Sequence, residues 1–352
     1  YTVIGGIDAV IWTDVIQTIV LFLGGVLCLG VIINALPGGM GQLWEVAMAH
    51  HKLAFAEMID GKPMPVSWEF SLTQKTALMM LVLGLSNWLQ EYGTNQNVIQ
   101  RYAASKNIKE ARKAMFVSML NLPIWAFYMF LGTALFVFFQ VFPNTDAGEM
   151  LNGTQKAEQI MPYFIINFLP PGISGLVIAA ALAAAMSSLD SSINAISTVG
   201  IHDIYRRHFV KDKDDKHYLK GAWIIASIAA LIMMGGAAIL TQAQTKTLQD
   251  TYTILLGFVA AGIFGLFMFG FFTKFQNMIA VWIALSLTLL FSLWIVLGGA
   301  GVLPKGLEIP FDLYYSSFLG HVLLFATAIA ASLLLLSKGQ KKDISKLTVF
   351  GD

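Results

Sequence analysis

The chain has 352 residues, of which 57% are hydrophobic and 12% are charged, with a net charge of +1 and a mean hydropathy of +0.69. A soluble globular chain carries about 25% charged residues, so this composition argues against a soluble enzyme, and its apolar excess excludes disorder. The balanced charge indicates no nucleic-acid partner, and the single cysteine excludes a disulfide within these residues and a cysteine-based metal cage. The composition predicts a polytopic helical membrane protein.

Eight apolar segments are long enough to cross a bilayer, whose core of about 30 Å requires about 20 helical residues. They lack the two-residue alternation that is typical of barrel strands. The predicted spans cover residues 8–34, 74–99, 114–140, 169–199, 221–242, 251–273, 277–299 and 314–337. We therefore predict an all-α polytopic membrane protein that forms a single transmembrane domain over residues 1–352.

The lysines and arginines lie unequally on the two sides of these spans. Of the 22, sixteen follow the second, fourth, sixth and eighth spans, and six lie in the remaining loops. Cytoplasmic loops carry the excess of Lys and Arg, so the first span runs from inside to outside. The tail, residues 338–352, is then cytoplasmic.

Three acids lie inside predicted spans away from the span ends, namely Asp14, Glu91 and Asp190. A carboxylate at the centre of a membrane helix costs about 3 kcal/mol on insertion scales, so each requires a partner. Apart from Lys75 at the edge of the second span, no Lys or Arg lies inside a span, which leaves a bound cation, a proton or water as candidates. Counted at about 1.5 Å per residue, Asp14 and Ser187 share one level in the cytoplasmic half.

The fourth span carries a stripe of oxygen-bearing side chains. Ser187, Asp190, Ser191 and Asn194 follow the spacing i, i+3, i+4, i+7 and therefore share one helix face. Hydroxyl and carboxylate oxygens suit a hard cation such as Na⁺, and the alanines before the stripe allow a neighbouring helix to pack closely. Alternatively, the serines only pack the helix, Asp190 is solvated at the cytoplasmic exit, and Glu91 is protonated or water-exposed.

Four segments in this order and orientation together resemble the sodium/solute symporter family, which includes sodium–glucose, sodium–proline, sodium–iodide, multivitamin and sialic acid carriers. They begin with Tyr1-Thr2, Gly5-Gly6 and Ala9–Gln17, and continue with Gly93–Ser105, Ala179–Ser192 with Asp203-Ile204-Tyr205, and Gly257–Gly270.

The resemblance implies the inverted-repeat transporter fold of five-plus-five core helices. The six spans over about 8–273 would be core helices five to ten, with two extra helices over about 277–337. The first four core helices would then lie outside this chain, which would explain why it starts at Tyr1. The second span would be a broken helix, for which Gly84 and Gly93 are candidate break points.

The resemblance also implies two sodium sites. The Ala184 carbonyl and the Ser187 and Ser188 hydroxyls match the site that is common in the family. Asp14 and Ser191, together with Ser187, match a second site that some members have. Asp190 departs from the pattern, in which a hydroxyl residue is usual, and it would either tighten cation binding or face water.

A solute site is expected near the bilayer midplane beside the broken helix. The midplane of the second span falls near Ser86, Asn87 and Trp88, and Glu91 with Tyr92 lies one turn inward. Asn121 in the third span stands where the sugar carriers resemble one another in having Lys, which argues against a close glucose-type carrier. A carboxylate and a sugar-like solute both stay open.

These observations predict a secondary transporter of the plasma membrane that couples Na⁺ to the import of a small polar organic solute, and not an enzyme. A different class, an intramembrane aspartyl protease, would use Asp14 and Asp190 facing each other across one water. The usual Gly-Asp pairing is absent at both positions. A sensor is a third class, although the tail 338–352 carries no signalling domain.

Overall fold

The computed structural model describes residues 2–54, 56–59, 62–119, 122–240, 252, 255–256, 261–273, 277–299, 301–335 and 348–349. Within these ranges the chain is helical apart from turns, loops and one hairpin of two strands, β1 (Ala56–Ile59) and β2 (Lys62–Pro65). The α-helices are α1 (Thr2–Ala35), α2 (Gly39–Ala49), α3 (Ala77–Thr94), α4 (Gln96–Ala103), α5 (Ile108–Met119), α6 (Leu122–Val141), α7 (Thr145–Leu151), α8 (Ile160–Asn167), α9 (Ile173–Val199), α10 (Asp215–Leu240), α11 (Ile263–Phe272), α12 (Met278–Gly299) and α13 (Ser316–Leu334).

Six helical stretches of the described residues are long and apolar enough to cross a membrane, which confirms the predicted all-α membrane fold. They coincide with the predicted first, third, fourth, fifth, seventh and eighth spans. Their bounds are Ile4–Ala35, Ile108–Val141, Ile173–Phe209, Asp215–Ile239, Met278–Gly299 and Leu313–Leu334. The predicted sixth span is represented by the shorter apolar helix α11.

The predicted second span is interrupted, but at a different residue from either glycine. Helix α3 ends at Thr94, Asn95 is extended with φ −72° and ψ 122°, and α4 begins at Gln96. The prediction of a break at Gly84 or Gly93 is wrong because both glycines lie within α3. Asn95 suits the break because its Oδ1 accepts from the Asn97 backbone N–H at 2.9 Å, as a helix N-cap does.

The chain divides into two compact units, of which the first comprises residues 1–64 and 100–246. In this unit α1 packs along α9. The contact is close, since a Cβ added to Gly24 would lie 2.7 Å from the Ala180 Cβ. Beyond this contact, Cys28 of α1 and the aromatic side chains of α6 and α8, including Phe138 and Phe164, form the main hydrophobic core.

The second unit comprises residues 65–99 and 247–352. Helices α11, α12 and α13 pack around the buried side chains of Phe269, Ala284 and Leu324. Helix α3 uses Met79 and Leu83 to pack beside Tyr315, at the start of α13. One face of α3 is therefore buried within this unit, and the side chains on its other faces are more exposed.

Candidate cation and solute sites

The Asp14 carboxylate of α1 is contacted by side chains of α9 and α4. The Ser187 hydroxyl donates to Asp14 Oδ1 at 2.6 Å. Arg101 Nη2 donates to Asp14 Oδ2 at 2.5 Å and to Ser191 Oγ at 2.8 Å. We refer to Asp14, Arg101, Ser187 and Ser191 as the Asp14 cluster.

The Asp14 cluster extends along α9 by one more turn. Asn194 Nδ2 donates to Gln100 Oε1 at 2.6 Å, so Ser187, Ser191 and Asn194 meet their partners with the spacing i, i+4, i+7. The sequence therefore correctly predicted that these three side chains share one face, and that Asp14 lies at the level of Ser187. Their role as sodium ligands stays a prediction.

Arg101 corrects the expectation that Asp14 has no cationic partner. It lies outside the predicted spans, but it follows the break at Asn95 by six residues, and its long side chain reaches the carboxylate. The ion pair is partly buried, with 18% of the Asp14 side chain and 34% of the Arg101 side chain exposed. A guanidinium therefore occupies the place where a bound cation was expected.

The other predicted cation ligands are Ala184, Ser188 and Asp190. Ser188 is exposed, and its hydroxyl donates to the Ala184 carbonyl oxygen at 3.3 Å. This is the local bond to residue i−4 that a merely structural serine makes. Asp190 is half-buried directly before Ser191. The proposed roles of Ala184, Ser188 and Asp190 as ligands stay predictions.

The protease alternative gains no support from Asp14. An aspartyl dyad requires two carboxylates that share one proton and hold a water between them. Both carboxylate oxygens of Asp14 instead accept hydrogen bonds from Arg101 and Ser187.

The predicted solute residues of α3 lie on two different faces. Asn87, Trp88 and Glu91 are exposed, and the Trp88 ring centroid lies 5.1 Å from that of Tyr92. Ser86 is only 7% exposed and belongs to the packed side of the helix. Ser86 and Asn87 therefore lie on different faces, because consecutive helical residues point about 100° apart, and the role of Ser86 as a solute residue stays a prediction. Asn121 lies outside the described residues.

Sequence reasoning missed a buried polar network around His321 of α13. The Gly262 backbone N–H donates to His321 Nδ1 at 3.1 Å, so the ring proton lies on Nε2. Nε2 faces Gln90 Oε1 of α3 at 2.8 Å and Ser317 Oγ at 3.3 Å. A histidine inside an apolar span was the signal that could have revealed this link between α3, α11 and α13.

A cavity of about 380 Å³ lies beside Asn194, the last residue of the polar row Ser187, Ser191 and Asn194 on α9. Asn194 belongs to both, and Ser197, Thr198 and His202 line the cavity along the following turns. Polar side chains therefore continue from the Asp14 cluster along α9 and into the following turns of the helical stretch Ile173–Phe209.

Comparisons with known proteins agree with this arrangement. Residues 1–286 match the sodium:solute symporter family. The sodium/sialic acid symporter SiaT of Proteus mirabilis is 32% identical over 280 residues, which are 79% of this chain and 53% of that protein. The human sodium/iodide cotransporter is 31% identical over 306 residues, which are 85% of this chain and 44% of that protein.

Among solved structures, the substrate-bound, outward-open state of a Na⁺-coupled sialic acid symporter, described as revealing a novel Na⁺ site, has a TM-score of 0.75 and 26% identity. The alignment covers 97% of this chain and 65% of that one. The chain spans about half the length of the curated relatives it matches. With a family match over most of its residues, the chain belongs to the sodium:solute symporter family.

Proposed function

We propose that the protein is a secondary transporter of the cell membrane that couples inward Na⁺ movement to the import of a small polar organic solute by alternating access. The observation that carries this proposal is the Asp14 cluster. A carboxylate on α1 and two hydroxyls on α9 converge between two apolar helices, and intramembrane acids usually mark ion pathways.

The chemistry of the Asp14 cluster favours an alkali cation. Its oxygens belong to one carboxylate and two hydroxyls, which are hard ligands, and the described residues contain no group of three His, Cys, Asp or Glu side chains that could hold a transition metal. The cavity, which Asn194, Ser197, Thr198 and His202 help to line, supports release of the ion toward the cytoplasm. The common family site at Ala184, Ser187 and Ser188 would hold a second Na⁺.

One sodium ion can supply a useful driving force. A single charge that moves through 100 mV contributes about 2.3 kcal/mol, and a tenfold concentration gradient adds about 1.4 kcal/mol. The sum of about 3.7 kcal/mol could sustain a solute gradient of roughly 500-fold.

The solute is proposed to be a carboxylate, a sugar-like molecule or a compound that combines both features. Helix α3 presents an exposed amide, carboxylate and indole at Asn87, Glu91 and Trp88, and the Trp88 ring lies tilted against the half-buried ring of Tyr92. The names of two similar symporters give sialic acid as the solute. Sialic acid carries a carboxylate and several hydroxyls, so it is the first solute to test.

The topology is proposed from charge. Sixteen of the 22 Lys and Arg residues fall in loops on one side of the spans, and these loops and the C-terminal tail are assigned to the cytoplasm.

Uptake into proteoliposomes that contain the full-length protein tests the proposed function. Radiolabelled sialic acid, lactate, glucose and iodide would each be offered with an inward gradient of Na⁺ or of choline. We expect accumulation of one organic solute in Na⁺ medium and only passive entry in choline medium. Equal uptake of every solute in both media would refute sodium coupling.

A further inference from the structure

We propose that Arg101 is a tethered cation that competes with Na⁺ for the oxygens of the Asp14 cluster. The inference rests on the proposed function, because it assigns a regulator to the same cation site. It starts from the guanidinium, which already holds one carboxylate oxygen of Asp14 and the Ser191 hydroxyl oxygen. These are two of the three side chains that the second sodium site would use.

Simultaneous occupancy by Arg101 and Na⁺ is unfavourable on charge and on geometry. Asp14 supplies one negative charge, and two cations within a few ångströms repel strongly where water is scarce. The lone pairs that a sodium ion requires on Asp14 Oδ2 and Ser191 Oγ face the same guanidinium nitrogen, Nη2. Sodium binding at Asp14 therefore requires Arg101 to withdraw.

Arg101 lies on a short helix that begins directly after a break in the chain. Helix α4 has eight residues, none of them fully buried, and follows the extended residue Asn95. Its contacts with α9 include Arg101 to Ser191 and Gln100 to Asn194, and the Arg101 side chain is one-third exposed. These features allow the side chain, or the short helix with it, to leave Asp14.

The consequence is a site whose apparent sodium affinity includes the free energy of releasing Arg101. Occupation by Arg101 keeps Asp14 paired when the site holds no ion, so the carboxylate is never left alone in the membrane. If Na⁺ displaces Arg101, α4 loses its contact with Asp14. Helix α4 is joined through Asn95 to α3, the helix that bears Glu91 and Tyr92. Sodium binding at Asp14 would thus influence the predicted solute residues of α3 through α4.

The test is a sodium titration of the purified full-length protein, read as the Na⁺ concentration at half-maximal thermal stabilisation. Choline chloride keeps the ionic strength constant, which removes the effect of salt on exposed charge pairs. Arg101→Gln should lower the half-saturating Na⁺ concentration about fivefold or more, a coupling of ordinary size between competing ligands. Arg112→Gln removes the same charge from an exposed position on α5 and should leave the midpoint unchanged.

An unchanged or raised midpoint in Arg101→Gln would overturn the proposal, because it would make Arg101 a structural support rather than a competitor. If Arg101→Gln does not fold, Arg101→Met, which also removes the charge, decides in the same way: a midpoint below that of the wild type supports the proposal, and one that is not below it overturns the proposal. Adding Asp14→Asn to Arg101→Gln should abolish the gain. The outcome is separable from the proposed function: uptake that is independent of Na⁺ would reject coupling, while a lowered midpoint would still support the tethered cation.

Discussion

Asp14 and His321 are polar side chains in apolar helices, and different kinds of partner satisfy their hydrogen bonds. Asp14 is paired with a guanidinium and a hydroxyl, whereas the His321 ring accepts at Nδ1 and faces Gln90 with Nε2. In each case the donors match the acceptors, as burial requires. The difference suits their proposed roles, because only the charged side chain can exchange one cation for another.

His321→Leu should lower the stability of the protein by about 2 to 5 kcal/mol. The change leaves the Gly262 N–H and Gln90 Oε1 buried without the imidazole, and each such group costs about 1 to 3 kcal/mol. Thermal unfolding in detergent measures the effect. His208→Leu, at an exposed position, is the matched control and should change the melting temperature little. A melting temperature equal to that of the wild type would show that the network contributes nothing.

The contact between α1 and α9 places the Asp14 cluster. Gly24 and Ala180 let the two helices approach, and Asp14 and Ser187 then meet farther along the same interface. Small residues commonly permit such approaches in membrane helices, where packing rather than water drives association. The geometry of the proposed cation site therefore depends on residues that bear no charge.

Gly24→Ala tests this dependence. The added Cβ would lie 2.7 Å from the Ala180 Cβ, so the helices must move apart, at a cost of about 1 to 3 kcal/mol. Gly30→Ala on the same helix meets nothing within 4 Å and should leave stability unchanged or raise it by up to about 1 kcal/mol. Thermal unfolding of both variants measures the difference. If Gly24→Ala is no less stable than Gly30→Ala, the interface is looser than described.

The sequence predicts the helical spans and the side chains that share a helix face better than it predicts which side chains contact each other between helices. The length of the apolar runs correctly located the six long spans, and helical periodicity placed Ser187, Ser191 and Asn194 on one face. Arg101 escaped prediction because counting depth along straight helices assigns it to a loop. Only the turn of the chain at Asn95 lets its side chain reach Asp14.

Two local features of α3 also escaped prediction. Depth alone does not say which side of a helix is packed, so the burial of Ser86 on the same side as Met79 and Leu83 was not foreseen. The break was expected at glycine because glycine tolerates unusual dihedral angles. Asn95 breaks the helix in an ordinary extended conformation, with its side chain bonded to Glu91 and to the Asn97 N–H.

As a whole, the molecule places the two proposed tasks in different units. The Asp14 cluster belongs to the unit of residues 1–64 and 100–246, and the exposed polar and aromatic face of α3 belongs to the unit of residues 65–99 and 247–352. Helix α4 continues the chain from one unit into the other. In the proposed transport cycle, release of Arg101 by Na⁺ would act on α4, the element through which the chain passes between these units.

Binding of radioactive sodium to the purified full-length protein, compared between the wild type and Asp14→Asn, tests the central claim most directly. The account predicts saturable binding whose affinity falls about tenfold or more in Asp14→Asn, a loss of about 1.4 kcal/mol or more, because the amide no longer offers a negative charge. Asp8→Asn, which removes an exposed acid from the same helix, should bind sodium as the wild type does. Equal sodium affinity in the wild type and Asp14→Asn would contradict the account.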